Sequence, residues 1–170
     1  MVEPTSPKGS VVVVAPESRP TVAMGGTSHV FNLVSQDTGG QLALMEATIQ
    51  PHTLVIPHSH THEDELAIVL EGEAGIRVGD QEYVVSPGFV IFIPRGTVHA
   101  IWNRTDKPGK AISIFTPGGL EGYFKEMAAV FQEHTAPDRV KLGAISQKYG
   151  IVTHMEWVPE LSAKYGVTLG

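Results

Sequence analysis

His58-Ser59-His60-Thr61-His62-Glu63-Asp64-Glu65 runs straight into Leu66-Ala67-Ile68-Val69-Leu70, a polar stretch feeding an apolar run of strand length. Five of the eight histidines fall between residues 52 and 99, so the imidazoles are concentrated rather than scattered. On an extended chain successive side chains alternate, which puts His58 and His60 on one side. Two imidazoles placed that way can chelate a single ion, and Glu65, opening the next strand, can add an oxygen.

On both sides of this stretch the chain reads as β-structure. Short runs rich in Val, Ile, Leu and Phe at 30–34, 41–49, 65–71, 74–78, 82–85, 90–93, 99–102 and 110–115 are separated by turn residues. About eight short strands at this spacing, with no helical period between them, predict an antiparallel sandwich or barrel. Gly79-Asp80 between two runs is a hairpin signature, and Glu71-Gly72-Glu73 marks a second turn. After Pro117-Gly118-Gly119 the period changes. Leu120, Tyr123, Phe124, Met127, Ala128 and Phe131 fall on one helical face. A second helix is expected from Pro137 to a stop at Gly150, and a third from Pro159 to Tyr165. The expected organisation is an arm over 1–29, a barrel over 30–118 and a helical extension over 119–170. In the arm, the β-branched run at 11–14 is a candidate edge or swapped strand.

Composition narrows the function classes. A 42% hydrophobic content with mixed charges belongs to a folded globular chain. The net charge of −6 offers nothing to nucleic acid or to an anionic membrane. No apolar run approaches the ~18 residues of a membrane span, and the opening MVEPTSPKGS lacks the pattern of a signal peptide, so a cytoplasmic setting is expected. With no cysteine, a metal must bind through nitrogen and oxygen.

The spacing resembles the two motifs of the cupin superfamily. The first runs Gly, five residues, His-x-His, three or four residues, Glu, six residues, Gly; here it reads His58, His60, Glu65, Gly72. The second runs Gly, five residues, Pro-x-Gly, two residues, His, three residues, Asn; here it reads Gly88, Pro94-Arg95-Gly96, His99, Asn103. One position departs: the leading glycine of the first motif is His52, a turn slot that histidine tolerates only moderately well. Register also separates His62 from the pair, because a His60–His62 pair would need its glutamate near Leu66 or Ala67. His62 is then a turn residue or a neighbour of the ligands, Glu63 and Asp64 are solvated turn acids, and His29, His134 and His154 are structural or exposed.

The resemblance implies a double-stranded β-helix, or jelly-roll barrel, holding one divalent transition metal through His58, His60, Glu65 and His99. Three imidazoles and one carboxylate suit Fe, Mn, Ni, Co, Zn or Cu and leave one or two positions open. Strand parity places Ile101 and Asn103 beside His99, and Ala67 and Val69 beside Glu65, with Tyr83, Phe92, Met45 and Phe115 as expected wall residues. An apolar lumen favours a small organic substrate that chelates through oxygen. A sugar phosphate would want several basic groups, and only Arg77 and Arg95 lie in the barrel region. With the Thr116-to-Phe124 stretch leading into the helical tail, the chain resembles bacterial quercetin dioxygenase-like cupins, in which Glu65 would double as a base toward a substrate hydroxyl. A non-oxidative lyase, isomerase or cyclase, and a ligand-binding module without turnover, are the alternatives. A homodimer paired through sheet edges is expected.

Overall fold

Burial with a period of two runs through the strands and sets two faces. In the strand that follows the histidine stretch, Glu65, Ala67 and Val69 are buried while Asp64, Leu66 and Ile68 are partly open. A sheet with that pattern must cover one face, and here it does so by closing against a second sheet. The computed structural model describes residues 11–133 and 138–170. The strands are β1 (Thr21–Met24), β2 (Thr27–Leu33), β3 (Ala43–Ile49), β4 (Thr53–Leu54), β5 (His58–His60), β6 (Asp64–Glu71) and β7 (Ala74–Val78). They continue as β8 (Gln81–Val85), β9 (Val90–Ile93), β10 (His99–Asn103), β11 (Gly109–Thr116), β12 (Ile151–Thr153) and β13 (Thr168–Leu169). The helices are α1 (Glu121–Glu133), α2 (Arg139–Lys148) and α3 (Val158–Tyr165).

The first sheet has the order β1-β2-β3-β11-β6-β9; the second runs β12-β5-β10-β4-β13, with β7 joining β10 to β8. All pairs are antiparallel except β13 on β4. This is an antiparallel barrel, as the strand spacing predicts, and it has the mainly β jelly-roll form with a helical tail that the motif resemblance implies. All eight expected strands form, with ends shifted by three residues at most. The tail is more than helical, because β12 and β13 return from it to flank the second sheet. Residues 11–14 form no strand within the single chain, and Val11 and Val13 are exposed. Pro137, the expected start of the second helix, lies outside the described residues, as does His134; Asp138 caps α2 by accepting from the Val140 and Lys141 amides.

Three packed clusters hold these parts. At one end of the barrel, Phe31, Met45 and Phe115 meet Leu120, Tyr123, Phe124 and Met127, the face of α1 predicted by its period. At the other end Val69, Ile76, Val85 and Ile93 fill the interior. Outside the second sheet, Ala100 and Trp102 lie under Leu161 of α3, and Trp102 stacks on Tyr165 with ring centres 4.5 Å apart. Trp102 lies so close to β7 that a Cβ at Gly75 would come within 2.1 Å of it, so that position admits only glycine. Among the described residues no helix is long and apolar enough to cross a membrane.

Candidate metal centre

β5 is only three residues long, and its neighbours fix it. His58 pairs with His99 of β10 on one side, and Ile151, Val152 and Thr153 of β12 pair with His60, Ser59 and His58 on the other. Alternation along β5 turns both histidine rings inward, while the β10 register brings His99 beside them. Glu65 comes from the opposite sheet, where it pairs with Phe115 of β11 and Ile93 of β9. The two sheets therefore converge their polar groups on one point of the lumen.

The Nε2 atoms of His58 and His60 are 3.2 Å apart, and Glu65 Oε2 lies 3.5 Å from His60 Nε2 and 3.6 Å from His99 Nε2. One nitrogen from each of the three histidines lies within 4.8 Å of the others. His58 Nδ1 faces the Ile56 carbonyl at 2.7 Å and His99 Nδ1 faces the Thr97 carbonyl at 3.0 Å. With those nitrogens donating, the Nε2 lone pairs of His58 and His99 point at the centre. Glu65 Oε1 accepts from the Ser113 hydroxyl at 3.1 Å, leaving Oε2 for the histidines.

Burial lowers His58 well below the ordinary histidine range, and the neighbouring His99 and His60 add to the effect. Burial also lowers His99. Burial pushes the Glu65 carboxyl up, but hydrogen bonding from His60 and the potential of His99, His60 and His58 outweigh it and hold the carboxyl at about 2. Neutral imidazoles at His58 and His99 facing an ionised carboxylate are protonation states that suit a divalent cation. The residues fit such a cation on two further observations. His99 Nε2 is buried without a hydrogen-bond partner. The 3.2–3.6 Å separations also match the edges of a polyhedron whose ligands stand about 2.1 Å from an ion.

Other sequence expectations divide. Met45, Phe115 and Ile101 line the cavity of about 100 Å³ over these atoms. Ala67, Val69 and Asn103 line a smaller one, about 70 Å³, deeper in the barrel. Tyr83 and Phe92 do not belong to the wall. Phe92 pairs with outward Leu66 and is 60% exposed, and Tyr83 stands on β8, which pairs with β7 alone. Glu63 is not a solvated turn acid. It shares the inward parity of Glu65, is 7% exposed, and its Oε2 lies 4.0 Å from His60 Nδ1. Asp64 points outward and is bound through both oxygens by Arg95. Arg77 bonds Glu160 and covers the Trp157 ring, so neither arginine lines either cavity. His52 adopts φ 56°, the left-handed turn that glycine holds in the motif, and its ring meets Asp106 at 2.9 Å, away from the centre. His62 is exposed in the turn after β5.

Sequence reasoning missed His29, Tyr123 and Ser113 at the site. His29, 8% exposed, lines the cavity with its ring tilted on Phe124 at 4.2 Å, and burial lowers its pKa to about 4. Starting the first strand at 30 cut His29 away from Phe31, whose inward parity it shares. Ser113 shares the parity of Phe115 and could have been found the same way. The helical period accounts for Tyr123 as a packing residue, and only the position of α1 over the barrel mouth makes it a lining residue.

Comparison with known proteins agrees with this architecture. The chain is 36% identical over 84 residues to a mannose-1-phosphate guanylyltransferase, RfbM, of Salmonella typhimurium; the match covers 49% of this chain and 17% of that protein. The structure is similar to that of KdgF from Halomonas sp. (TM-score 0.59, 15% identity, covering 66% of this chain and 99% of the other). It is also similar to the polyketide cyclase RemF from Streptomyces resistomycificus (TM-score 0.56, 24% identity, 63% and 80% covered). Residues 45–115, which include all four converging side chains, match the Cupin domain family. With the second motif filled at every position, the barrel closed and that domain matched, residues 45–115 are a cupin domain.

Proposed function

We propose that this chain is a metal-dependent oxygenase that holds one divalent transition metal through His58, His60, Glu65 and His99 and acts on a small enolisable or aromatic hydroxy compound. The single observation that carries the reading is the convergence of three imidazoles, those of His60 and His99 buried and that of His58 half-buried, and an ionised carboxylate under an otherwise apolar cavity. When bound, the ion supplies a Lewis-acidic, redox-capable centre with open positions for a substrate oxygen and for dioxygen. The chain supplies the rest. Met45, Ile101 and Phe115 exclude water and accept an apolar ring. Glu65, steadied by Ser113, receives the proton of the substrate hydroxyl at Oε2. Among the described residues no lysine or arginine lines the cavity, which disfavours a phosphorylated substrate.

A second reading has its own observation. His29, buried and neutral above about pH 4, faces the same cavity and can pass a proton without any oxidation. That arrangement suits a lyase, isomerase or cyclase, the last being the activity named for RemF.

The deciding experiment loads the protein separately with Fe(II), Mn(II), Ni(II), Co(II), Cu(II) and Zn(II) and follows oxygen uptake with 3-hydroxyflavone or a β-diketone. Uptake with a redox-active ion, reduced about a hundredfold or more by Glu65→Ala, is expected. Turnover of the same compounds that needs no oxygen and proceeds with Zn(II) would establish the second reading instead.

The assembly belongs to the same proposal. Phe92, Leu66, Ile114 and Leu44 pair in a row across the outer face of the first sheet, and Val90, Ile68 and Ile112 form the next row. Among the described residues no helix packs on this face, whereas α3 covers the second sheet, so a second copy of the chain is the proposed cover.

A further inference from the structure

Beyond the metal cavity lies a much larger space. The cavity over the ligands is about 100 Å³, too small for a whole drug-sized molecule, for which pockets of about 300–1,000 Å³ are usual. A groove of about 850 Å³ opens next to it, between α1 and α2 on one wall and β4, β12, β13 and the segments flanking β5 on the other. Met24, Thr27, Val55, Ile56, Tyr123 and Ile151 line both spaces, so they form a neck between them. The outer wall is largely apolar, with Met127, Phe131 and Leu142 facing Leu54 and Val152. The neck is itself ordered, since Tyr123 is 6% exposed and Ile151 is locked into register against His60.

We infer that the substrate has two parts: a small oxygen-chelating head held in the barrel and a bulky apolar body lying in the groove beneath α1 and α2. The inference rests on the metal-centre reading for the head and on the groove's volume and continuity for the body. A planar aromatic or polycyclic body matches a slot between two walls, and the helical tail selects it. Thr61, His62, Ser146 and Gln147 border the same groove and offer hydrogen-bond partners for hydroxyl or carbonyl groups on that body.

Gly143 provides a test that leaves the metal ligands untouched. It sits on α2 and lines the groove, its φ is ordinary, and a Cβ there meets nothing within 4 Å. Gly143→Trp therefore fills the groove from a helical position where a side chain costs the fold nothing in contacts. Gln147→Trp, on the same helix, serves as an independent second blocker. Calorimetric titrations of Co(II)-loaded protein compare acetylacetone, a chelating head alone, with dibenzoylmethane, the same head carrying two phenyl groups, while the cobalt absorption spectrum reports on the head.

Dibenzoylmethane is expected to bind about tenfold tighter or better than acetylacetone. Both tryptophan variants should remove that advantage while leaving acetylacetone affinity and the cobalt spectrum unchanged. Equal affinities in the parent protein, or an advantage that survives both variants, overturn the groove assignment while acetylacetone continues to report the metal site. If the protein takes up no cobalt, the metal reading fails on its own. Binding of dibenzoylmethane to the metal-free protein then decides the groove: sensitivity to Gly143→Trp sustains it, and insensitivity overturns it. A change in oligomeric mass on Gly143→Trp with no change in diketone affinity would mean that a second chain occupies the groove, and also overturns it.

Discussion

A buried histidine that no ion claims is a liability at acid pH, and His29 is such a residue. It is 8% exposed, its Nε2 meets the Thr27 hydroxyl at 3.2 Å, and burial lowers its pKa from 6.5 to about 4. In the window between those values the unfolded chain binds a proton that the folded chain refuses. Stability from this group is therefore complete above about pH 6.5 and is lost as the pH falls toward 4, amounting to about 3 kcal/mol over the window. Urea unfolding of the metal-free protein from pH 7 to pH 4 should show a steeper loss for the parent than for His29→Gln. Parallel slopes would contradict the burial of a neutral imidazole here. The four proposed ligands were readable at this scale because motif spacing is a property of the chain itself. Glu63 obeys the same alternation that turns Glu65 inward, although a run of acids beside a turn reads by composition as solvated.

Elements decide whether these residues meet. β5 is too short to hold itself, and β12 pairs along all three of its residues. The tail thus braces the histidine strand, helped by the His154 amide, which donates to the Pro57 carbonyl at 2.7 Å. Gly150 precedes β12 with φ 68°, and a Cβ there would come within 2.1 Å of the Thr61 hydroxyl, so the turn into this brace requires glycine. Val152→Pro removes a donor from β12 where it pairs with Ser59, yet it touches no ligand. It should weaken metal affinity about tenfold in competition with a chelator, by analogy with the loss of groups that orient ligands. Val152→Thr, retaining the donor at a half-exposed position, should bind metal like the parent. α1 is tied down in a comparable way: the Glu121 carboxylate accepts from the Ser35 amide at 2.9 Å and the Gly119 amide at 3.0 Å, joining the helix start to the loop after β2. Neither brace was visible in the sequence, because a three-residue strand such as Ile151–Thr153 carries too little period to be told from a connection.

At the scale of the whole molecule, the two sheets differ in what covers them. α3 packs on the outer face of the second, and the outer face of the first is left with Phe92 and Val90 exposed at its β9 edge. Size-exclusion chromatography with light scattering is expected to give twice the 18.3 kDa chain mass. Phe92→Glu should shift it toward the single-chain mass, because a carboxylate would enter an apolar contact. A parent protein running at the single-chain mass would sink the dimer. The expected pairing was through sheet edges; the rows from Phe92 to Leu44 move the proposed contact to a sheet face, which strand periodicity alone could not separate from the lumen face.

The sequence by itself determined the strand period, the jelly-roll class, the helical face of α1 and the four side chains that converge. The strand period and the helical face follow from local geometry, in which side chains alternate or recur. The jelly-roll class and the four ligands follow from the resemblance of the motif spacing to that of cupins. Only the tertiary structure decided that Tyr123 lines the cavity, that Tyr83 and Phe92 face outward, and that the tail returns to brace β5 and wall the groove. Those facts depend on which strands pair and how the helices dock. Such contacts join residues as distant as His58 and Thr153, and no local period records them.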